Sequence, residues 1–146
     1  MPTVQDILSN KSSSKVHTTR PGVTVLEAVQ KMNEFGIGAL VVSEGGQVVG
    51  MFTERDVLQR VVSTGRSPAE MFVAEAMTGN AVCTGPREDL DEVRAVFKNR
   101  RIRHLPVCDD SGNLMGLISM GDLNAYEASN REATIHFLNE YIYGRA

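Results

Sequence analysis

MFTERDVL (Met51–Leu58) is answered further along the chain by LISMGDLN (Leu117–Asn124). Each stretch runs from an apolar, strand-like segment into a helix-like one. Each also carries a hydroxyl residue three positions ahead of an aspartate, Thr53 with Asp56 and Ser119 with Asp122. A Ser/Thr-x-x-acid at a helix start is the capping-box pattern, in which hydroxyl and carboxylate satisfy the first free amide groups. The same pair can also be one side of a binding site, and the local pattern leaves both readings open. The fold turns on whether the two stretches belong to two copies of one unit.

Sliding the chain by 65 residues pairs Thr19 with Thr84, Pro21 with Pro86, Glu27 with Glu92, Ile37 with Ile102, Leu40 with Leu105 and Val42 with Val107. One extra residue in DDSGN relative to EGGQ then brings Gly50 onto Gly116 and Asp56 onto Asp122. A leader repeats as well, TVQDIL before the first unit and FVAEAM before the second, with SNKSSSK lengthening the first connection. Internal repetition of this kind marks a duplicated structural unit.

Each unit reads as β-α-β-β-α. A short strand (16–18, then 82–83) leads to a helix with N-cap candidates Thr24 and Asp89, and Glu27 and Glu92 complete a capping box in both. Apolar residues at helical spacing follow, Val25, Ala28, Val29 and Met32, then Leu90, Val93, Val96 and Phe97. Hairpins come next, ALVVSE with QVVGMFT and HLPVCD with NLMGLIS, joined by Gly-containing turns. A second helix closes each unit, with Val57, Leu58, Val61 and Val62 inward in the first and Leu123 and Tyr126 in the second. Neither copy covers both faces of its small sheet, so the two should pack against each other about a pseudo-twofold axis. The fold class is mixed α+β, with repeat 1 over 2–66, repeat 2 over 67–130 and a C-terminal helix over 131–146. EATIHFLNEYIYG is amphipathic, with Ile135, Leu138, Tyr141 and Ile142 on one side, suited to packing on its own domain or to a dimer contact.

Composition excludes several classes. The 146 residues are 42% apolar and 23% charged, with a net charge of −3, which recruits neither nucleic acid nor an anionic membrane. No run approaches the roughly 18 apolar residues of a membrane span. The N-terminus lacks a secretory layout, and a cytoplasmic location is expected. Cys83 and Cys108 read as reduced, packed thiols, and no metal site is expected.

RHLPVCD…GLISMGDL, preceded by IGALVVSE…GMFTERDVL, resembles a tandem pair of cystathionine β-synthase (CBS) domains across roughly residues 2–130. That resemblance implies a non-catalytic regulatory module binding an adenosyl compound between its repeats. AMP is placed first; ADP, ATP and NAD(H) follow, with S-adenosylmethionine as an alternative. It also implies a homodimer and an effector protein elsewhere. Carried over residue by residue, it makes Asp56 and Asp122 ribose clamps, with Thr53 and Ser119 near the phosphate. Arg103 and His104 stand at the strand entrance of repeat 2, where repeat 1 has Gly38 and Ala39, and Pro106, within that strand and unable to donate, should mark an edge or a site-facing gap in the ladder. Arg55 adds a cation to the first site. Lys15, Val16, Asn80 and Ala81 are the residues that would border the adenine. One ligand should therefore share Thr53 and Asp56 with Arg103 and His104. The opposite site, around Ser119 and Asp122, lacks a comparable cation and should be weak. Lys98, Arg100 and Arg101 read as a solvated basic face near a helix end. Rival readings are a structural dimer with decayed sites and a nucleotide-processing enzyme using His104 and an aspartate. The latter lacks a Gly-rich phosphate loop or a nucleophile–base spacing.

Overall fold

A computed structural model describes residues 1–11, 15–79 and 81–143; Asn80 lies outside the described residues. Its elements run α1 (Val4–Asn10), β1 (Thr18–Thr19), α2 (Val25–Phe35), β2 (Ala39–Glu44), β3 (Gln47–Thr53), α3 (Glu54–Asp56) and a π-helical continuation (Val57–Val62). Then come α4 (Val73–Ala76), β4 (Thr78–Gly79), α5 (Leu90–Arg100), β5 (His104–Cys108), β6 (Leu114–Ser119) and α6 (Met120–Tyr143).

The duplication is visible in the backbone bonds. Thr19 pairs in parallel with Val42, and Thr84 pairs in parallel with Val107, the same rung one repeat later. In β2 and β3, Leu40, Val42 and Phe52 point into one core with Val25, Ala28, Met32 and Val61. The equivalent core of the second unit holds Leu90, Val93, Phe97, Leu105, Val107 and Ile118. The other sheet face carries Ala39, Val41 and Met51, which meet Leu114, Leu117 and Ala81 from the second half. Period-two alternation thus sends one set of residues into each unit's own core and the other into the seam between units. Gln47 and Asn113, at the two hairpin turns, pair across that seam, and their side chains bond at 3.2 Å.

The leaders cross over. Val4 and Ile7 of α1 lie in the core of the second unit, and Val73 and Ala76 of α4 lie in that of the first. The bonds match in pairs: Val4 N–H donates to the Glu88 carbonyl at 3.0 Å as Val73 N–H does to Val23 at 2.9 Å. Leu90 N–H reaches Pro2 as Val25 N–H reaches Met71. Each half therefore completes the other's helical layer. The close approach of each leader explains a glycine in each copy. A Cβ at Gly50 would stand 2.6 Å from the Thr78 carbonyl oxygen, and one at Gly116 would stand 2.8 Å from a Leu8 methyl.

Four expectations are corrected. The first strand of repeat 1 is Thr18–Thr19 and that of repeat 2 shrinks to the single rung at Thr84, because Pro106 has no N–H to give. In repeat 1 the corresponding rung is Val41 N–H to the His17 carbonyl, 3.3 Å. The capping boxes at α2 and α5 form only by half: Thr24 Oγ1 accepts from Glu27 N–H at 3.1 Å, and Asp89 accepts from Asp91 N–H at 2.7 Å. Glu92 turns instead toward Glu88, which raises its carboxyl pKa. Leu58 and Val62 are both 63% exposed, whereas Val61 is buried and Val57 half-buried. The Val57/Val61 line faces the core, and the neighbouring line one residue on faces outward. Last, the closing helix of repeat 2 and the terminal helix are one 24-residue helix. On it Ile135 and Leu138 are exposed, so neither packs on its own domain; the side chains of Tyr141 and Ile142 lie outside those described. No helix among the described residues is long and apolar enough to cross a membrane.

Candidate functional site

Helix starts follow directly on strand ends at Thr53 and Ser119, and both capping boxes predicted there are made. Asp56 Oδ2 accepts from Thr53 N–H at 2.9 Å and from its hydroxyl at 3.2 Å, while Asp56 N–H donates to Thr53 Oγ1 at 3.3 Å. Asp122 Oδ2 accepts from Ser119 N–H at 2.8 Å, and Asp122 N–H donates to Ser119 Oγ at 3.0 Å. The cap half of the opening alternative therefore holds in both copies.

The copies differ in what completes each aspartate. Asp56 is 6% exposed, and its other oxygen, Oδ1, takes a 3.2 Å bond from the Thr78 hydroxyl on β4. Asp122 is less buried, and the Lys11 ammonium sits 3.0 Å from its Oδ2 while donating to the Leu117 carbonyl at 2.7 Å. The weak site was expected to lack a cation. Instead the crossed-over leader delivers one from α1's end, a long-range contact that no local motif announces.

A cleft of about 660 Å³ opens between the two units at the first aspartate. Repeat 1 lines it with Gly38, Thr53, Arg55 and Asp56, and repeat 2 with Arg103 and His104, so the four residues expected to share one ligand do border one space. Ala81 also lines it, with Val82 beside it. Because Pro106 cannot donate, the Val82 carbonyl lacks the strand partner that His17 has in repeat 1. Pro106 itself is buried within β5, opposite Leu117, and lines neither cleft. A smaller cleft of about 230 Å³ gathers Lys15, Val16, Gly38, Ala39 and Lys11. His104 borders both spaces. Ser119 and Asp122 line neither, with Asp122 held behind Lys11.

Arg100 and Arg101 were read as a solvated face, but both line the larger cleft, as do Gln59, Arg60, Thr78 and Glu54. Arg60 is committed elsewhere, donating to the Met77 carbonyl at 2.6 Å and the Ala76 carbonyl at 3.3 Å. Among the described residues, no ion pair engages Arg55, Arg100, Arg101 or Arg103. Five guanidinium groups, Arg60 included, thus line a cleft whose acids are Glu54 and the internally bonded Asp56. Burial lowers the His104 pKa below 6.5, with Arg103 and Lys11 pushing the same way and Asp122 and Glu54 opposing. No His/Cys/Asp/Glu cluster suited to a metal occurs among the described residues.

Comparison with known proteins identifies the repeated unit. The CBS domain family model fits residues 4–63 and again 73–129. The CBS domain-containing protein YhcV of Bacillus subtilis is 32% identical over 133 residues, spanning 91% of both chains. A solved CBS-domain protein of Burkholderia ambifaria, described as a candidate signal-transduction protein, is 39% identical with a TM-score of 0.83, covering 88% of this chain and 95% of that one. A hexameric CBS-CP12 protein from bloom-forming cyanobacteria is 30% identical with a TM-score of 0.73, covering 84% of this chain and 69% of that one.

Proposed function

Because the chain belongs to the CBS domain family and consists of a tandem pair of its repeats, we propose that it is a non-catalytic regulator that binds one adenine nucleotide in the larger cleft. The supporting observation is the cross-repeat constellation itself. A carboxylate and hydroxyl from one unit face a guanidinium and an imidazole from the other, across a space of about 660 Å³. A ribose presents two adjacent hydroxyl donors to the Asp56 carboxylate, and charge-assisted bonds of this type contribute about 1.5–3 kcal/mol each. Phosphate oxygens meet Arg103, whose planar fork suits them, with Arg55 and His104 nearby. The Val82 carbonyl, without its strand partner, is an acceptor for the exocyclic amine of adenine. S-adenosylmethionine is disfavoured, since its sulfonium would enter a cleft already rich in unpaired cations.

Ligand closing a space between two halves changes how they sit, and that change is what a partner protein or a second copy would read. The outward Leu58 and Val62 provide an apolar face for self-association into a homodimer. Thermal-shift measurements with AMP, ADP, ATP, NAD, NADH and S-adenosylmethionine test the reading, because a ligand specific to the folded state raises the melting temperature. A flat response to every adenine nucleotide sinks it. Protein-dependent turnover of ATP, AMP or NADH would sink the non-catalytic part.

A further inference from the structure

Arg101 is the single non-glycine residue with positive φ among the described residues, at φ 53° and ψ 41°. It occupies the left-handed cap of α5, where its N–H donates to the Phe97 carbonyl. The equivalent cap of α2 is Gly36, at φ 62° and ψ 37°. The two helices end in the same geometry, and Ile37 and Ile102 follow with matching bonds to Met32 and Phe97. Repeat 1 thus uses the residue that adopts this conformation freely, while repeat 2 places an L residue with a long side chain where its Cβ crowds the backbone. The cap itself gives no reason to prefer arginine, since glycine closes the twin helix.

The side chain supplies the reason. Arg101 lines the larger cleft together with Arg55, Arg100 and Arg103, and none of the four has an ion-pair partner among the described residues. Like charges gathered around one cavity repel each other until an anion arrives. Five guanidiniums line the cleft, Arg60 included, and Glu54 and Asp56 offset two of them, so a monophosphate with about two negative charges leaves one positive charge unmatched. Each additional phosphate extends the chain of oxygens away from the ribose and adds charge. We infer that Arg101 is a specificity residue for the distal phosphates, and that the cleft is built for a nucleoside di- or triphosphate in preference to the monophosphate. This rests on the nucleotide reading above and goes further than it.

Strain and affinity make opposite demands on the position, which allows a clean test. Isothermal titration with ATP and with AMP is run on the full chain, its Arg101→Gly and Arg101→Lys variants, and Lys98→Gln as a control cation on the same helix. The wild type is expected to bind ATP more tightly than AMP. Arg101→Gly should keep or raise the melting temperature without ligand, yet weaken ATP about tenfold or more and AMP less than about threefold. Arg101→Lys, keeping charge but not the fork, should fall between, and Lys98→Gln should match the wild type. Equal losses for ATP and AMP, or no loss, overturn the role of Arg101 while leaving nucleotide binding intact. Wild-type binding of AMP equal to ATP overturns the polyphosphate preference, and no binding of either overturns the nucleotide reading itself.

Discussion

Replacing Lys11 by methionine removes one ammonium and keeps the length of the stem, which makes it a direct probe of the second cleft. At 3.0 Å the Lys11–Asp122 attraction is about 5–6 kcal/mol gross at an effective dielectric of about 20. Both side chains are 26% exposed, so screening and desolvation reduce the net contribution to about 1 kcal/mol. Loss of the 2.7 Å bond to the Leu117 carbonyl adds about 1 kcal/mol. For a chain of this size each kcal/mol moves the melting temperature by about 2–4 °C, so Lys11→Met should melt roughly 4–8 °C lower. In an Asp122→Asn background the same change should cost about half as much, since only the carbonyl bond remains to be lost. The functional consequence is opposite in sign. With its internal cation gone, Asp122 is free to accept from a second ribose, and the nucleotide stoichiometry measured by calorimetry should rise from one to two per chain. A wild type that already binds two, or a folded Lys11→Met variant that still binds one, would refute the idea that Lys11 closes the second cleft.

The aspartates should behave unequally: Asp56→Ala should abolish the largest ligand-induced thermal shift, and Asp122→Ala should reduce it less. Equal losses or the reverse order would count against the asymmetry of the clefts. The pKa of His104 lies below 6.5 in the folded chain, mainly through burial. Between that value and 6.5 the unfolded chain binds more protons, so stability should fall as pH drops through this window and level off beneath it. Urea unfolding from pH 7.5 to 5 should show a shallower fall for His104→Gln than for wild type, and parallel curves would disprove the assignment. Cys108 is buried, with its thiol pushed up to about 12 by burial and by Cys83, whereas Cys83 is exposed. At pH 7.5 a maleimide should therefore label one thiol quickly; fast labelling that survives Cys83→Ser would be the contrary result.

Much of this was legible because the duplication supplies its own control. Thr53 with Asp56, and Ser119 with Asp122, could be recognised as caps from spacing alone, since a capping box is made within four residues. The facing of Arg103 and His104 toward Asp56 followed from the family resemblance, because it depends on how two units meet. Four features were illegible for physical reasons. Lys11 reaches Asp122 across 111 positions of sequence, through a leader that crosses to the other unit. Leu58 and Val62 continue an apolar stripe whose composition cannot say which of its lines faces inward. Arg101 carries no motif at all, and only alignment with Gly36 in the twin helix, together with its positive φ, makes it conspicuous. Cys83 read as packed because composition favours buried thiols, yet it lies just ahead of the one rung left to a strand that Pro106 cuts short.

The cap and the clamp need not compete for Asp56. A carboxylate offers about four lone-pair sites. Two on Oδ2 are taken by the Thr53 amide and hydroxyl, the bonds that hold the helix start. Oδ1 has one bond, from the Thr78 hydroxyl at 3.2 Å, which is long for an O–H donor and comes from a side chain free to rotate toward water. One acceptor site on Oδ1 is thus open and the other is held by a replaceable donor, and two adjacent ribose hydroxyls require just that pair. At Asp122 the same count gives a different result. Lys11 and the Ser119 amide both address Oδ2 and not Oδ1, but this carboxylate lines neither cleft and the ammonium already neutralises it, so a ribose there meets a paired charge instead of an open acceptor. The difference between the two clefts is therefore set by the leaders, which place a threonine beside one aspartate and a lysine beside the other.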